Sequence, residues 1–347
     1  MSQRALVEDL LDGDHRALAR VITNIENRRS GYRDLVARLH HHTGTAEVIG
    51  VTGSPGSGKS TLVDKLAATY RDRGLTVGVI AIDPSSPFTG GAVLGDRIRM
   101  ASNIGDMDVF FRSMSARGTL GGLSTATADA VKALDAFGKD RILVETVGAG
   151  QNEVDIVRTA DTVTVLVPPG SGDDVQMLKA GILEIGDIFV VNKADLPGAD
   201  RTVQELREML QYGDGDVPAT VGHHAAGDAV SSLDADDDTE ADLWEPRVVE
   251  TVASEGEGID GLIESFEAHA DHLDSTGERE RNARARYAAE IRRLLREDVS
   301  ELVAAELDRR GGLAQFVDDV LDRERDPYTV ADSLVEPLAD RVDRDRN

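Results

Sequence analysis

The sequence contains no cysteine. That excludes disulfide frameworks, thiolate metal sites and cysteine nucleophiles. Basic residues are scarce: 38 Lys and Arg stand against 64 Asp and Glu, giving a formal net charge of −26. Such an excess opposes non-specific attraction to nucleic acid or an anionic membrane, since both repel an acidic surface. No apolar stretch approaches the roughly 20 residues needed to cross a bilayer. The segment Met1–Leu11 is charged and lacks the apolar centre of a secretion signal. A soluble, cytoplasmic protein contacting neither nucleic acid nor membrane is therefore expected. The acids are spread through the chain, which favours carboxylates holding water in a salt-rich cytoplasm over one dedicated acidic face. A halophilic source would account for this pattern.

What is present points to one large α/β domain with helical appendages. The 347 residues, 40% of them hydrophobic, suffice for a substantial core. Residues 1–45 form an N-terminal helical segment, with Val7, Leu10, Leu11, Leu18, Val21, Ile22 and Ile25 at helical spacing. Residues 46–272 read as the α/β domain. Within them Glu47–Gly53, Thr76–Ile82, Asp108–Phe111, Arg141–Thr146, Thr162–Val167, Ile188–Asn192 and Arg247–Val252 are short apolar strands suited to a mostly parallel sheet buried on both faces. Residues 212–241, rich in Asp, Gly, Ala and Ser, are an acidic loop insertion. Residues 273–347 form a helical tail, with helices over Glu278–Asp308 and Leu313–Leu321. Leu294, Leu295, Val299, Leu302 and Val303 give that tail an apolar stripe that packs on its own domain or on a second subunit.

The segment Gly53, Ser54, Pro55, Gly56, Ser57, Gly58, Lys59, Ser60, Thr61 matches the complete phosphate-loop pattern between a strand and a helix. Its glycines let backbone N–H groups wrap a phosphate, and the helix N-terminus adds partial positive charge. Lys59 is expected to reach the β- and γ-phosphate oxygens and Ser60 to place its hydroxyl on Mg²⁺. Magnesium takes oxygen ligands and keeps several waters, so Asp83, Asp96 and Glu145, at strand ends or in loops after them, are the candidate acids. Lys59, Asp96 and Glu145 are the candidate catalytic groups.

Asn192, Lys193, Ala194 and Asp195 follow a buried strand. A carboxylate at Asp195 can accept from both N1–H and the exocyclic amine of guanine, whereas adenine offers neither donor there. The unpaired charge would cost enough to discriminate strongly. Lys193 supplies an aliphatic stem over the base, and Asn192 can brace the loop. GTP and GDP, with Mg²⁺, are thus the expected ligands. Adjacent histidines at His40, His41 and His42, and at His223 and His224, lack convergent ligand spacing and read as a polar helix end and a solvated loop.

The residues between these motifs resemble one family. DPSS at Asp83–Ser86, TGGAVLGDRIRM at Thr89–Met100, RGTLGG at Arg117–Gly122, ETVGAGQ at Glu145–Gln151 and PGSGD at Pro169–Asp173 look like the MeaB/ArgK-like P-loop GTPases. The resemblance implies a homodimeric G protein that escorts adenosylcobalamin-dependent methylmalonyl-CoA mutase, gating cofactor loading and protecting the mutase. It also implies that Asp83, Asp96 and Glu145 belong to the Mg²⁺ and switch region. Pro168–Lys179 would be a further loop facing the partner, with Lys179 a candidate contact. Two positions depart from the family pattern. Val252 stands where a serine usually precedes the alanine of the last base-contacting loop, here Val252, Ala253 and Ser254; the Ala253 amide can still be offered to guanine O6. The segment Ser113–Ala116 lacks the proline common before RGTLGG.

No glutamine directly follows Glu145–Gly148; Ala149 stands there and Gln151 lies farther on. Slow intrinsic hydrolysis is therefore expected. Rival functions are a metallochaperone GTPase, which usually draws on Cys or clustered His, and a transport-linked kinase for lysine, arginine and ornithine.

Overall fold

The computed structural model describes residues 2–83, 105–115, 122–146, 156, 159–170, 185–213 and 243–344. Among the described residues, seven strands form one parallel sheet: β1 Glu47–Gly53, β2 Val77–Asp83, β3 Val109–Ser115, β4 Arg141–Glu145, β5 Thr162–Val167, β6 Ile188–Asn192 and β7 Arg247–Thr251. Their order across the sheet is β3-β2-β4-β1-β5-β6-β7. Because every pairing is parallel, all carboxyl ends share one edge, where ligands of open α/β sheets bind. The sequence expectation of a mostly parallel α/β fold with helices at both ends is met.

Both faces of the sheet are covered, which explains why every residue of β5 and β6 is buried. On one face lie α4 Lys59–Asp72 and α7 Ile259–Ser275, packed around Leu62, Leu66, Ile263 and Phe266. The other face carries α5 Gly122–Ala136 and α6 Ala199–Gly213 together with the N-terminal helices α1 Gln3–Leu11, α2 His15–Glu26 and α3 Tyr32–His40. Asp14 caps α2, its carboxylate accepting from the Arg16 amide at 2.7 Å. Leu18, Val21, Ile22 and Ile25 then fall on one helix face and are fully buried. Each such side chain contributes about 1.5–3 kcal/mol by burial.

One carboxylate ties this helical cap to the sheet. Asp135 of α5 accepts from the amides of Gly44, Thr45 and Ala46 at 2.6, 3.2 and 3.0 Å, and from the Thr45 hydroxyl at 3.1 Å. The linker between α3 and β1 is thereby held by an ionisable group, with Ala46 packed against the core beside it.

The chain divides into two compact units, one ending at Asn282 and the other beginning at Ala283, a boundary within α8 Glu278–Arg309. The second unit has its own small core of Phe316, Val330 and Leu334, flanked by Leu307 and Val320. It includes α9 Leu313–Leu321 and α10 Pro327–Arg344. The last helix falls within the expected helical tail, and its start, which periodicity leaves open, is legible in chemistry. Asp326 accepts from the Tyr328 and Thr329 amides at 3.0 Å each, and Pro327 occupies the first helical position. Tyr212 and Gly213, expected in the acidic insertion, end α6 instead; residues 214–242 lie outside the described ones.

At the amino ends of β5, β6 and β7 a buried polar cluster links strands to α7. Asp187 accepts from the Val163 amide at 2.7 Å, and its Oδ1 lies 3.6 Å from His269 Nε2, too long for a hydrogen bond. His269 Nδ1 pairs with the Thr162 hydroxyl at 2.7 Å. Trp244, the single tryptophan, donates to the Asp187 carbonyl at 2.9 Å and packs edge-on against His269. Burial pushes the Asp187 carboxyl up to about 7; the Val163 amide opposes this shift and the Glu278 charge adds to it. An unfolded Asp releases its proton near pH ~4. The folded protein holds that proton to about pH 7. This group's stabilisation is therefore complete below about pH 4 and is lost as pH rises toward 7. Urea unfolding followed by Trp244 emission should show wild type losing stability relative to Asp187→Asn across that window, by up to about 1.4 kcal/mol per pH unit. A difference independent of pH would show that Asp187 is ionised throughout.

Candidate nucleotide site

The phosphate loop leaves β1 at Gly53 and enters α4 at Lys59. Two of its glycines are dictated by space as well as by backbone. Gly53 has φ 135°, and a Cβ there would lie 2.2 Å from the Leu166 carbonyl oxygen. Gly58 has φ 96°, and its Cβ would meet Asn192 Nδ2 at 2.3 Å. Gly58 is the N-cap of α4 and, as glycine, offers its first-turn amides no capping side chain of its own. That arrangement suits an anion at the helix N-terminus.

Lys59 is buried, and its ammonium donates to the carbonyls of Gly53 at 2.7 Å and Ser54 at 2.9 Å. The charge is thus held over the loop itself. One residue on, the Ser60 hydroxyl donates to a carboxylate oxygen of Glu145. Glu145 is the last residue of β4, buried, and in register with Val51 of β1 and Ala81 of β2. A hydroxyl and a carboxylate in contact beside a phosphate loop are the hard oxygen donors that Mg²⁺ prefers. Asp83 ends β2, two positions beyond Ala81, on the same edge of the sheet. Asp96 lies outside the described residues, as do Gln151, Lys179, His223 and His224.

The second half of the site centres on Asn192, at the carboxyl end of β6. Its Nδ2 donates to the Ser57 carbonyl at 2.8 Å. Its Oδ1 accepts from the Thr251 hydroxyl and the Ala253 amide, each at 3.1 Å. One buried carboxamide therefore joins the phosphate loop to the loop after β7. Lys193 adopts φ 62°, a left-handed conformation that costs a non-glycine residue about 1 kcal/mol or more. Its ammonium reaches the Gly56 carbonyl at 2.8 Å, a second tie to the phosphate loop. Asp195 is exposed two residues farther on.

The loop Val252–Ser254 sharpens two expectations. The Ala253 amide, anticipated as an offering to guanine O6, is engaged by Asn192, so a base must share that donor or displace the carboxamide. The hydroxyl missing at Val252 is replaced by main-chain bracing: Val252 N–H donates to the Glu257 carbonyl, and the Glu255 and Gly256 amides donate to the Val252 carbonyl, all at 3.0 Å. Val252 itself is buried, while Ser254 is exposed. Thr251 was missed in the sequence. A hydroxyl residue closing the strand before such a loop is the signal that could have found it.

His40 and His41 lie at the exposed end of α3, as expected for a polar helix end. Among the described residues no group of three or more His, Asp or Glu is placed to hold a metal ion, and no helix is long and apolar enough to cross a membrane.

Asn192 satisfies three partners at once. Asn192→Ala is therefore predicted to cost about 2–4 kcal/mol of stability, from buried groups left unpaired, and at least about tenfold in guanine-nucleotide affinity. Urea denaturation and titration with a fluorescent GDP analogue measure both. Wild-type affinity in the variant would show that the two loops are not coupled through this side chain.

A family model described as methylmalonyl-CoA mutase-associated GTPase MeaB matches residues 18–308. The chain is 46% identical over 334 residues to a candidate GTPase of Pyrococcus abyssi, covering 96% of each chain. It is 34% identical over 260 residues to the GTPase ArgK of Escherichia coli, across 74% of this chain and 72% of that one. It is 28% identical over 350 residues to the mitochondrial methylmalonic aciduria type A homolog of Mus musculus, across 97% and 79%. Among solved structures, a LAO/AO transport system kinase matches with a TM-score of 0.64 at 23% identity over 97% of each chain, a likeness of fold alone. The chain belongs to the methylmalonyl-CoA mutase-associated GTPase family, MeaB, of the P-loop GTPases.

Proposed function

We propose that this protein is a Mg²⁺-dependent GTP hydrolase that chaperones an adenosylcobalamin-dependent methylmalonyl-CoA mutase, gating cofactor loading and protecting the mutase. The observation that carries the nucleotide reading is the Asn192 carboxamide, which couples the phosphate loop to the base loop. The mutase reading rests on family membership.

In the reaction, water attacks the γ-phosphorus, the bond to the β-bridging oxygen breaks, and GDP and phosphate leave. Such transfer needs positioning and charge neutralisation rather than covalent help from the protein. Lys59, freed from the Gly53 and Ser54 carbonyls, is assigned to the β- and γ-oxygens. The first-turn amides of α4 take the remaining phosphate charge. Bound Mg²⁺ would supply further neutralisation, held by Ser60 with Glu145, Asp83 and Asp96 as its carboxylates, directly or through water. Asp195 reads N1–H and the amine of guanine, while Lys193 covers the base and Val252–Ser254 closes over it.

The second compact unit is read as the dimerisation element. Ile291, Leu295, Val299 and Leu302 of α8 are all more than half exposed at helical spacing, an apolar stripe that water alone covers poorly.

Three outcomes test the proposal. Asp195→Asn should weaken GTP binding and favour xanthosine triphosphate, whose 2-oxo group accepts from an amide; unchanged GTP preference in competition binding rules out base reading by Asp195. The isolated protein should turn GTP over at below about 1 per second and accelerate with the mutase, as G proteins do with partners. Turnover already in the range of roughly tens per second without a partner contradicts that. Leu295→Glu combined with Leu302→Glu should convert a dimer to a monomer in light scattering, and a wild-type monomer removes the dimer reading.

A further inference from the structure

We propose that the buried hydroxyl pair Thr52–Thr146 is a positioning device for hydrolysis, holding Glu145 against Ser60 without touching nucleotide itself. The proposal rests on the reading that Ser60 and Glu145 serve the Mg²⁺ site. Thr52 is the residue immediately before Gly53, and Thr146 the residue immediately after Glu145. Both are at most 1% exposed. Thr146 Oγ1 donates to Thr52 Oγ1 at 2.8 Å.

The pair sits where two functional segments part company. Register between β1 and β4 ends at Val51 opposite Glu145. One residue later the Thr146 amide donates to the Val51 carbonyl at 3.0 Å, and the hydroxyl pair lies beside that bond. β1 then runs on against β5, with Thr52 opposite Val165 and Gly53 opposite Leu166, and becomes the phosphate loop. Thr146 belongs to no strand pairing. The peptide joining Glu145 to Thr146 is therefore oriented by strand register on one side and by these two bonds on the other.

Packing does not explain the choice of residues. Valine fills the same volume, suits a buried strand, and avoids the desolvation of two hydroxyls. A hydroxyl pair adds direction instead. It restrains the orientation of the Glu145–Thr146 peptide plane, and so keeps the carboxylate within reach of the Ser60 hydroxyl. The residue it serves is Glu145 rather than the base loop, so it should affect the chemical step and Mg²⁺ more than nucleotide capture.

The test uses the full-length protein with Thr52→Val and Thr146→Val combined. Replacing both members of a buried pair by isosteric apolar groups is close to neutral for folding, so the urea midpoint should match wild type. A misplacement below 1 Å at a reacting centre is enough to cost about tenfold or more in rate. We expect kcat to fall about tenfold, KM for GTP to change less than about twofold, and half-saturating Mg²⁺ to rise severalfold. The Mg²⁺ dependence of fluorescent GDP-analogue binding gives a readout independent of turnover and should shift in the same direction. Thr146→Ser keeps the hydroxyl and should retain wild-type kcat. Wild-type kcat and Mg²⁺ dependence in the double valine variant overturn the proposal, as does a Thr146→Ser variant as impaired as the valine pair. If the double variant does not fold, Thr52→Val alone takes its place: it removes the acceptor of the pair, half-saturating Mg²⁺ for fluorescent GDP-analogue binding should rise severalfold, and wild-type Mg²⁺ dependence overturns the proposal. A wild-type protein that hydrolyses no GTP overturns the nucleotide reading itself, and the pair's role with it; that outcome is read from the wild-type control.

Discussion

The Asn192 carboxamide is the interaction on which the rest of the site depends. Three loops come from three different strands: the phosphate loop from β1, the segment Asn192–Asp195 from β6 and Val252–Ser254 from β7. A parallel sheet brings their starts to one edge but does not fix their ends. Asn192 does so with one donor and two accepted bonds, all from a side chain that solvent scarcely reaches. An amide is suited to this task because it both donates and accepts; aspartate of similar size could only accept, and leucine could do neither. The ammonium of Lys193 and the close approach of Gly58 reinforce the same junction. The phosphate loop and the loops after β6 and β7 are consequently one mechanical unit rather than separate segments.

Much of this was legible beforehand, and for identifiable reasons. The limits of Glu47–Gly53, Thr162–Val167 and Ile188–Asn192 agree with the sequence reading because strands buried on both faces read as short, near-continuous runs of β-branched and apolar residues. The phosphate loop and Asn192–Asp195 were legible because each requires particular atoms at particular spacings. β3 runs on to Ser115, past the expected Phe111, since Arg112 and Ser113 interrupt its apolar pattern. Arg112 is accommodated by an ion pair with Glu26 of α2 at 2.6 Å, a partner that only tertiary structure reveals. The same holds for Thr251, Thr52 and Thr146. A threonine in a strand reads as ordinary β-branched packing until the opposite hydroxyl is seen.

The competing functions gain no support from the residues. A metallochaperone would need a site for its ion, and the chain has neither cysteine nor, among the described residues, a converging group of His, Asp and Glu. The charge of −26 is compatible with the site because the site's own chemistry is largely main-chain. Amides of a loop and a helix end, with one lysine held close, present positive potential locally while acids dominate elsewhere.

The carboxylate of Asp135 has a consequence for how the chain tolerates change in length. It takes three successive amides, Gly44, Thr45 and Ala46, so each of the last three residues before β1 has an assigned partner. A residue inserted or removed there would slide one donor out of reach and leave part of a largely buried charge without compensation. Surface linkers ordinarily absorb such changes at small cost. This one is instead a measured strap: the distance from the N-terminal helices to the first strand of the sheet is set by counting hydrogen bonds, not by the room available.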